Sequence, residues 1–255
     1  MPKKPMPKKP MPKKKSRARR PAKKLLRSKD SAPTRQISWT PQPGEQPSIR
    51  KILTVLVMSG YEILMRRGKP EKGRHYINLM DFVLDQGTEF SSAPLTDDEH
   101  NLVVQAADRY GRPFNQMRCY HNAFVMALND PNHSLRYCEG YFTTGSFPFH
   151  HAWVTLNGKV VDVTCRKNNG SRGKRLGRNV LGEIPEGWGY MGVAIDLEQA
   201  KQRLKIAKGW CDPYFDEDVL SEELLAKLRR HPVPTSVDGV IDELRRLGAV
   251  VREDG

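Results

Sequence analysis

No apolar stretch in the sequence approaches the roughly 18 residues needed to cross a membrane. The positive run at the N-terminus is not followed by the apolar core of a secretory signal. The expectation is a soluble, cytoplasmic protein with no membrane partner. Cysteine is scarce: the four residues at 119, 138, 165 and 211 form no Cys-x-x-Cys pair and no dense framework. A disulfide scaffold is excluded, and a reducing compartment fits. Cys119, Cys138, Cys165 and the histidines lack the close spacing of a zinc motif, so neither a metal nor another cofactor is expected.

Beyond residue 30 the chain also lacks a charge imbalance. Residues 1–30 hold fourteen Lys and Arg against one acid, Asp30, which accounts for +13 of the formal +14 and leaves +1 for the rest. Basicity therefore belongs to the tail and not to the folded surface. The tail opens on MPKKP, MPKKP, MPKKK, a Pro/Lys repeat that cannot bury a core and is expected to be a disordered arm. Met1, Met6 and Met11 each begin a unit, and each is a possible start. The cations Lys3, Lys4, Lys8, Lys9, Lys13, Lys14, Lys15, Arg17, Arg19 and Arg20 are candidates for non-specific nucleic-acid contact, joined by the basic loop at 166–178. No recognition helix, zinc finger or RNA-binding aromatic motif accompanies them. Tail and linker are assigned to 1–47 and a single domain to 48–255.

What is present after Ser48 reads as helices, then strands, then helices. IRKILTVLVMSGYEILMRR is apolar at helical spacing and is closed by Gly68. Shorter helices are expected over Ile77–Leu84, over 97–108 behind a Thr96/Glu99 capping box, and over Phe114–Leu128. LRYCEGYFTT, HAWVTL, KVVDVT and YMGVAI are predicted strands, and helices over 197–207, 217–230 and 237–247 end the chain. The class is α+β, with N-terminal helices packed on a mostly antiparallel sheet.

Asn157-Gly158 between two alternating runs predicts a two-residue hairpin and with it a register. Leu156 faces Lys159, Thr155 faces Val160, Trp153 faces Asp162 and His151 faces Thr164. One face is then apolar (Ala152, Val154, Leu156, Val161, Val163), and the other carries His151, Trp153, Asp162 and Thr164. Asp162 lies diagonally from His151, within about 7–8 Å between Cα atoms. A carboxylate there can accept a ring N–H and leave the second nitrogen as a base. A thiol to serve that base stands at Cys119, near the start of the helix after Gln116, where the helix dipole favours a thiolate. His150 should point to the core side and is the alternative base if the register slips. His121, two residues from Cys119, does not share its face. Trp153 and Glu139 are candidates to line a cleft, although Glu139 is also read as facing solvent.

A Cys at a helix start, a strand, His-Ala-Trp on a strand, a Gly turn and Asp-x-Thr resemble the core of transglutaminase-like proteins and the wider papain-like cysteine peptidases, over about residues 115–165. The resemblance implies a papain/transglutaminase-like fold and a Cys119-His151-Asp162 triad. It further implies acyl transfer on an amide, isopeptide or ester bond of a protein or peptide substrate. Gln116 resembles the oxyanion-hole glutamine of papain-like members, at a shorter spacing. Arg118-Cys119-Tyr120 stands where eukaryotic transglutaminases carry a Gly-x-Cys-Trp type sequence, so protein crosslinking is the less expected activity. The alternative is a nucleic-acid-binding, virion or structural protein whose tail binds and whose Cys/His domain is not catalytic.

Overall fold

A computed structural model describes residues 36–38, 47–66, 76–145, 147–166, 176, 179–203, 231, 234 and 236–252. The basic tail, Gly68, most of the 166–178 loop, the expected helix over 217–230 and Cys211 lie outside the described residues.

The architecture is α+β. Helices α1 (Ile49–Arg66), α2 (Leu79–Gln86), α3 (Asp97–Tyr110) and α4 (Cys119–Asn129) precede most of the sheet, and α5 (Leu197–Arg203) and α6 (Val237–Arg246) follow it. Six strands form one antiparallel half-barrel sheet: β2 (Thr88–Phe90), β3 (Arg136–Thr143), β4 (Phe149–Leu156), β5 (Lys159–Arg166), β6 (Asn179–Leu181) and β7 (Gly189–Ile195). Their order is β2-β7-β3-β4-β5-β6. A separate two-stranded pair joins β1 (Gln36–Ser38) to β8 (Val250–Arg252), so a strand lies inside the stretch read as linker. Among the described residues no helix is long and apolar enough to cross a membrane.

Local chemistry accounts for most boundaries. Asn78 caps α2 by accepting from the Asp81 N–H, and so the helix starts two residues after the predicted Ile77. Thr96 and Glu99 form the expected capping box, and Gly111 closes α3 at φ 71°. α4 is shorter than predicted, because Asn115 holds the preceding residues in a turn. Its carbonyl accepts from the Arg118 N–H at 3.1 Å, and its side chain accepts from the Met117 N–H at 2.9 Å. Cys119 therefore opens the helix. Strands β2 and β6 escaped prediction because three residues carry too little alternation to read.

The hairpin has the register that Asn157-Gly158 requires: Leu156 pairs with Lys159, Thr155 with Val160 and Val154 with Val161. Both turn residues have positive φ, 50° and 78°. Beyond Asp162, β5 becomes irregular against β6, with a register shift before Arg166.

Both faces of the sheet are buried. The main core places Ala152, Val154, Leu156, Val161 and Val163 against Ala123, Phe124 and Ala127 of α4 and Val103 and Ala106 of α3. The opposite face carries a smaller aromatic core of Cys138, Phe142, Trp153, Val160, Val180 and Tyr190. The expectation that Trp153 lines a cleft is not met, because its face of the hairpin is buried. Phe90 from β2, and Trp188 and Tyr190 at the start of β7, cover it. α1 packs with α6 as a satellite core through Val55, Met58, Tyr61, Val240 and Leu244.

Glu99 fastens the hairpin to α3. Its carboxylate accepts from Lys159 Nζ at 2.6 Å and Asn157 Nδ2 at 2.9 Å, as well as from the Thr96 N–H. Lys159, Asn157 and the Thr96 N–H together lower the Glu99 pKa from 4.5 to about 2. The folded-state pKa lies below the unfolded one, so this contribution is complete above pH 4.5 and is lost as pH falls toward 2. Glu99→Gln should flatten the pH dependence of the melting temperature across that window, and the difference from wild type should shrink in high salt. Thermal unfolding followed by circular dichroism checks it.

Candidate active site

Four hydrogen bonds converge on the Asp162 carboxylate, which is fully buried. Oδ2 is 2.7 Å from His151 Nε2 and accepts from the Tyr190 hydroxyl at 3.0 Å. Oδ1 accepts from the backbone N–H groups of Thr164 at 2.8 Å and Cys165 at 3.1 Å. Two donors on one oxygen follow from the irregularity after Asp162. A regular strand would direct those N–H groups into its ladders, whereas here they turn back onto the side chain.

The His151 ring is held on three sides. Asp162 fixes Nε2, Trp153 stacks at 6.2 Å with an interplanar angle of 21°, and Phe142 lies at 5.4 Å. Glycine at 192 makes this stack possible. A Cβ there would stand 2.6 Å from both the Trp153 ring and the Glu139 carbonyl. Gly192 pairs with Gly140, which in turn pairs with His151. The row of residues across the sheet beside His151 is thus bare, and the indole occupies the space.

Cys119 approaches the same imidazole from α4, near enough for its side chain to help raise the pKa of the His151 ring. α4 packs on the main-core face while His151 lies on the other. The β4–β5 pairing ends at Val154 and Val161, short of His151. Asn122, also on α4, fixes this approach by donating through Nδ2 to the Asn115 carbonyl at 2.6 Å and to Thr164 Oγ1 at 2.9 Å. The structure therefore brings Cys119, His151 and Asp162 together.

The electrostatics follow from the pairing. Burial disfavours charge on His151, but the Asp162 carboxylate outweighs it and holds the ring's pKa well above the usual histidine range. Burial likewise raises Asp162, and the positive ring opposite brings it below the usual carboxylate range. Tyr190, raised by burial and by Asp162, stays protonated as a donor. His150 behaves in the opposite way: burial, and the charge on His151, push it down to about 4. It faces α4, where its Nδ1 is 3.1 Å from the Tyr120 hydroxyl, and it takes no part in the Asp162 pair.

The other sequence candidates fall elsewhere. Trp153 is 1% exposed, so it supports the ring from inside a core and lines no cleft. Glu139 is not solvent-facing either: it is fully buried on the α4 side, where its carboxylate accepts from the Tyr137 hydroxyl and lies 3.8 Å from His150 Nε2. Gln116 is exposed in the turn ahead of Cys119. His121 is paired with the Tyr110 hydroxyl at 3.1 Å. Cys138 is a buried thiol whose pKa burial pushes up to about 12.

Three participants were not read from sequence: Tyr190, Asn122 and Cys165. Tyr190 is 28 residues from Asp162, in a strand chosen only for its apolar character, and nothing local marks it. Cys165 should face away from Asp162 by strand alternation, yet the irregular stretch turns its Sγ to within 3.5 Å of His151 Nε2. Donor atoms of His151, Asp162 and Cys165 all lie within 4.8 Å of one another, the one such three-residue grouping of potential metal ligands among the described residues. A polar cleft of about 590 Å³ lies between the start of β3, the end of β7 and α5, and none of the triad lines it.

Tyr190→Phe removes one of the four donors to Asp162 without changing the ring. A hydrogen bond to a charged group is worth about 1.5–3 kcal/mol, and a loss of that size in chemical denaturation is the expected result.

No protein-family model matches the sequence, and neither a curated protein nor a solved structure gives a significant match.

Proposed function

We propose that this domain is a thiol-dependent acyl-transfer enzyme, acting on an amide, isopeptide or ester bond of a protein or peptide, in a papain/transglutaminase-like arrangement. The observation that carries the reading is one imidazole shared between a buried carboxylate and a thiol at a helix start. Asp162 occupies Nε2, which leaves Nδ1 to take the Cys119 proton. The sulfur attacks the acyl carbon to form a thioester, and the imidazolium returns the proton to the departing amine or alcohol. Water or a second nucleophile, deprotonated by His151, then releases the acyl group and restores the thiol. Backbone N–H groups in the first turn of a helix have no intrahelical acceptor. That of Cys119 is the oxyanion donor in this reading, with exposed Gln116 as the second.

Asp162 serves this chemistry by orientation and charge. It selects the tautomer and stabilises the imidazolium, and Tyr190, Thr164 and Cys165 keep it ionised and in place.

Labelling with an alkylating thiol probe at neutral pH tests the assignment. Cys119 should react before Cys165, and Cys138 should stay inert in the native state. His151→Ala should slow labelling of Cys119 on the order of tenfold or more, whereas His150→Ala should be mild. Preferential labelling of another cysteine, or a severe effect confined to His150→Ala, overturns the assignment. With a substrate in hand, Asp162→Asn should lower turnover on the order of 10–10³-fold, less than the ~10⁴ of a serine triad, because a thiol depends less on its base. A folded-state check by circular dichroism accompanies each variant.

The tail supports a second, separable property. With +13 in thirty residues, it suits sequence-independent binding to nucleic acid or another polyanion. Removing residues 1–30 should leave thermal stability unchanged and abolish the salt-dependent part of DNA or RNA binding in filter or anisotropy assays. Retained binding, or loss of folding, argues against it.

A further inference from the structure

The proposed chemistry uses the backbone N–H of Cys165 but has no use for its thiol. Its thiol does not lie beside the ring by strand alternation. The irregular stretch of β5 places it there, 3.5 Å from His151 Nε2 and at the end of the same segment that anchors Asp162.

We propose that His151, Asp162 and Cys165 form a three-ligand site for a thiophilic divalent metal ion, Zn²⁺ foremost, and that its occupation turns the Cys119 centre off. The second half of this statement rests on the acyl-transfer reading; the metal site itself does not.

The donor set suits zinc. Imidazole nitrogen, carboxylate oxygen and thiolate sulfur are its ordinary ligands, and three protein ligands leave a fourth position open. With Zn–N near 2.0 Å and Zn–S near 2.3 Å, a tetrahedral ion sets nitrogen and sulfur about 3.5 Å apart. The observed separation of Cys165 Sγ from His151 Nε2 is 3.5 Å. Nitrogen and oxygen need about 3.3 Å, against 2.7 Å between His151 Nε2 and Asp162 Oδ2. Those two atoms must therefore part by a fraction of an ångström to admit the ion. Magnesium and calcium require more oxygen ligands than one carboxylate offers, and the thiol selects against both.

Charge and protons balance. Binding releases the Cys165 thiol proton and moves the ring proton from Nε2 to Nδ1, leaving a thiolate, a carboxylate and a neutral imidazole around Zn²⁺. The assembly is electrically neutral, which suits its burial. The supporting groups are already in position, since Tyr190, the Thr164 N–H and the Cys165 N–H continue to hold the carboxylate. A ring that coordinates through Nε2 keeps its remaining proton on Nδ1. It can no longer accept one from Cys119, and the nucleophile is silenced without being touched.

The test uses the full chain, free of any histidine tag. In competition with a chromophoric chelator, wild type should bind one tight Zn²⁺, Cys165→Ala should bind it at least about tenfold more weakly, and Cys119→Ala should bind as wild type does. With Co²⁺ in place of zinc, a thiolate-to-metal charge-transfer band should appear in wild type and Cys119→Ala and vanish in Cys165→Ala. Cys165→Ser, closer in size, stands in if the alanine variant fails to fold. Absence of binding by wild type, unchanged affinity on loss of Cys165, or a band that survives that loss overturns the site. Zinc should also suppress probe labelling of Cys119 in wild type and spare it in Cys165→Ala. If Cys119 resists the probe even without metal, the acyl-transfer reading falls, while chelator competition still decides the metal site.

Discussion

A fully buried carboxylate cannot stay ionised in a protein interior unless its lone pairs are answered, and Asp162 is answered four times. Two of the donors are backbone N–H groups of its own strand, which no side-chain substitution removes. The irregular end of β5, the position of Tyr190 on β7 and the orientation of the His151 ring all follow from meeting that one requirement. The requirement is mutual. His151 can carry a proton inside the protein only because Asp162 lies against it, and each group's shift is the cause of the other's.

Adjacent histidines show how far environment outweighs identity. His150 and His151 share a backbone and are both largely buried, but alternate on the strand. One meets a carboxylate within hydrogen-bonding distance and is held above the ordinary range. The other, whose nearest carboxylate oxygen is 3.8 Å away on Glu139, is driven by burial to about 4. The pair would exchange surroundings if the hairpin slipped by one residue, and Asn157-Gly158 prevents it by fixing the turn.

Those features that depend on neighbours a few residues apart were legible in the sequence: the Thr96/Glu99 capping box, the Asn157-Gly158 turn, the apolar spacing of α1 and the alternation of β3 to β5. The diagonal relation of Asp162 to His151 belongs with them, since a two-residue turn determines it. What could not be read depends on contact between distant segments. Nothing near Trp153 announces that Gly140 and Gly192 leave room for its ring, so an aromatic on the polar face of a hairpin reads as a cleft wall. Nothing near Glu139 announces that α4 encloses it. Cys165 was missed for a different reason: alternation puts it on the face away from Asp162, and the strand departs from alternation there.

Covering the sheet on both faces has a consequence for motion. β3 is paired along its length with β4 and β7, and is roofed by α4 on one side and the aromatic core on the other. Its amides have no route to solvent short of opening the domain, so they belong among the slowest to exchange with deuterium. His151 is carried by the strand next to this slow-exchanging one. The imidazole is therefore mounted on a strand paired with β3, while the thiol approaches from a helix end, where fraying begins. Any opening that admits a large molecule to the pair has to move the helix and not the sheet.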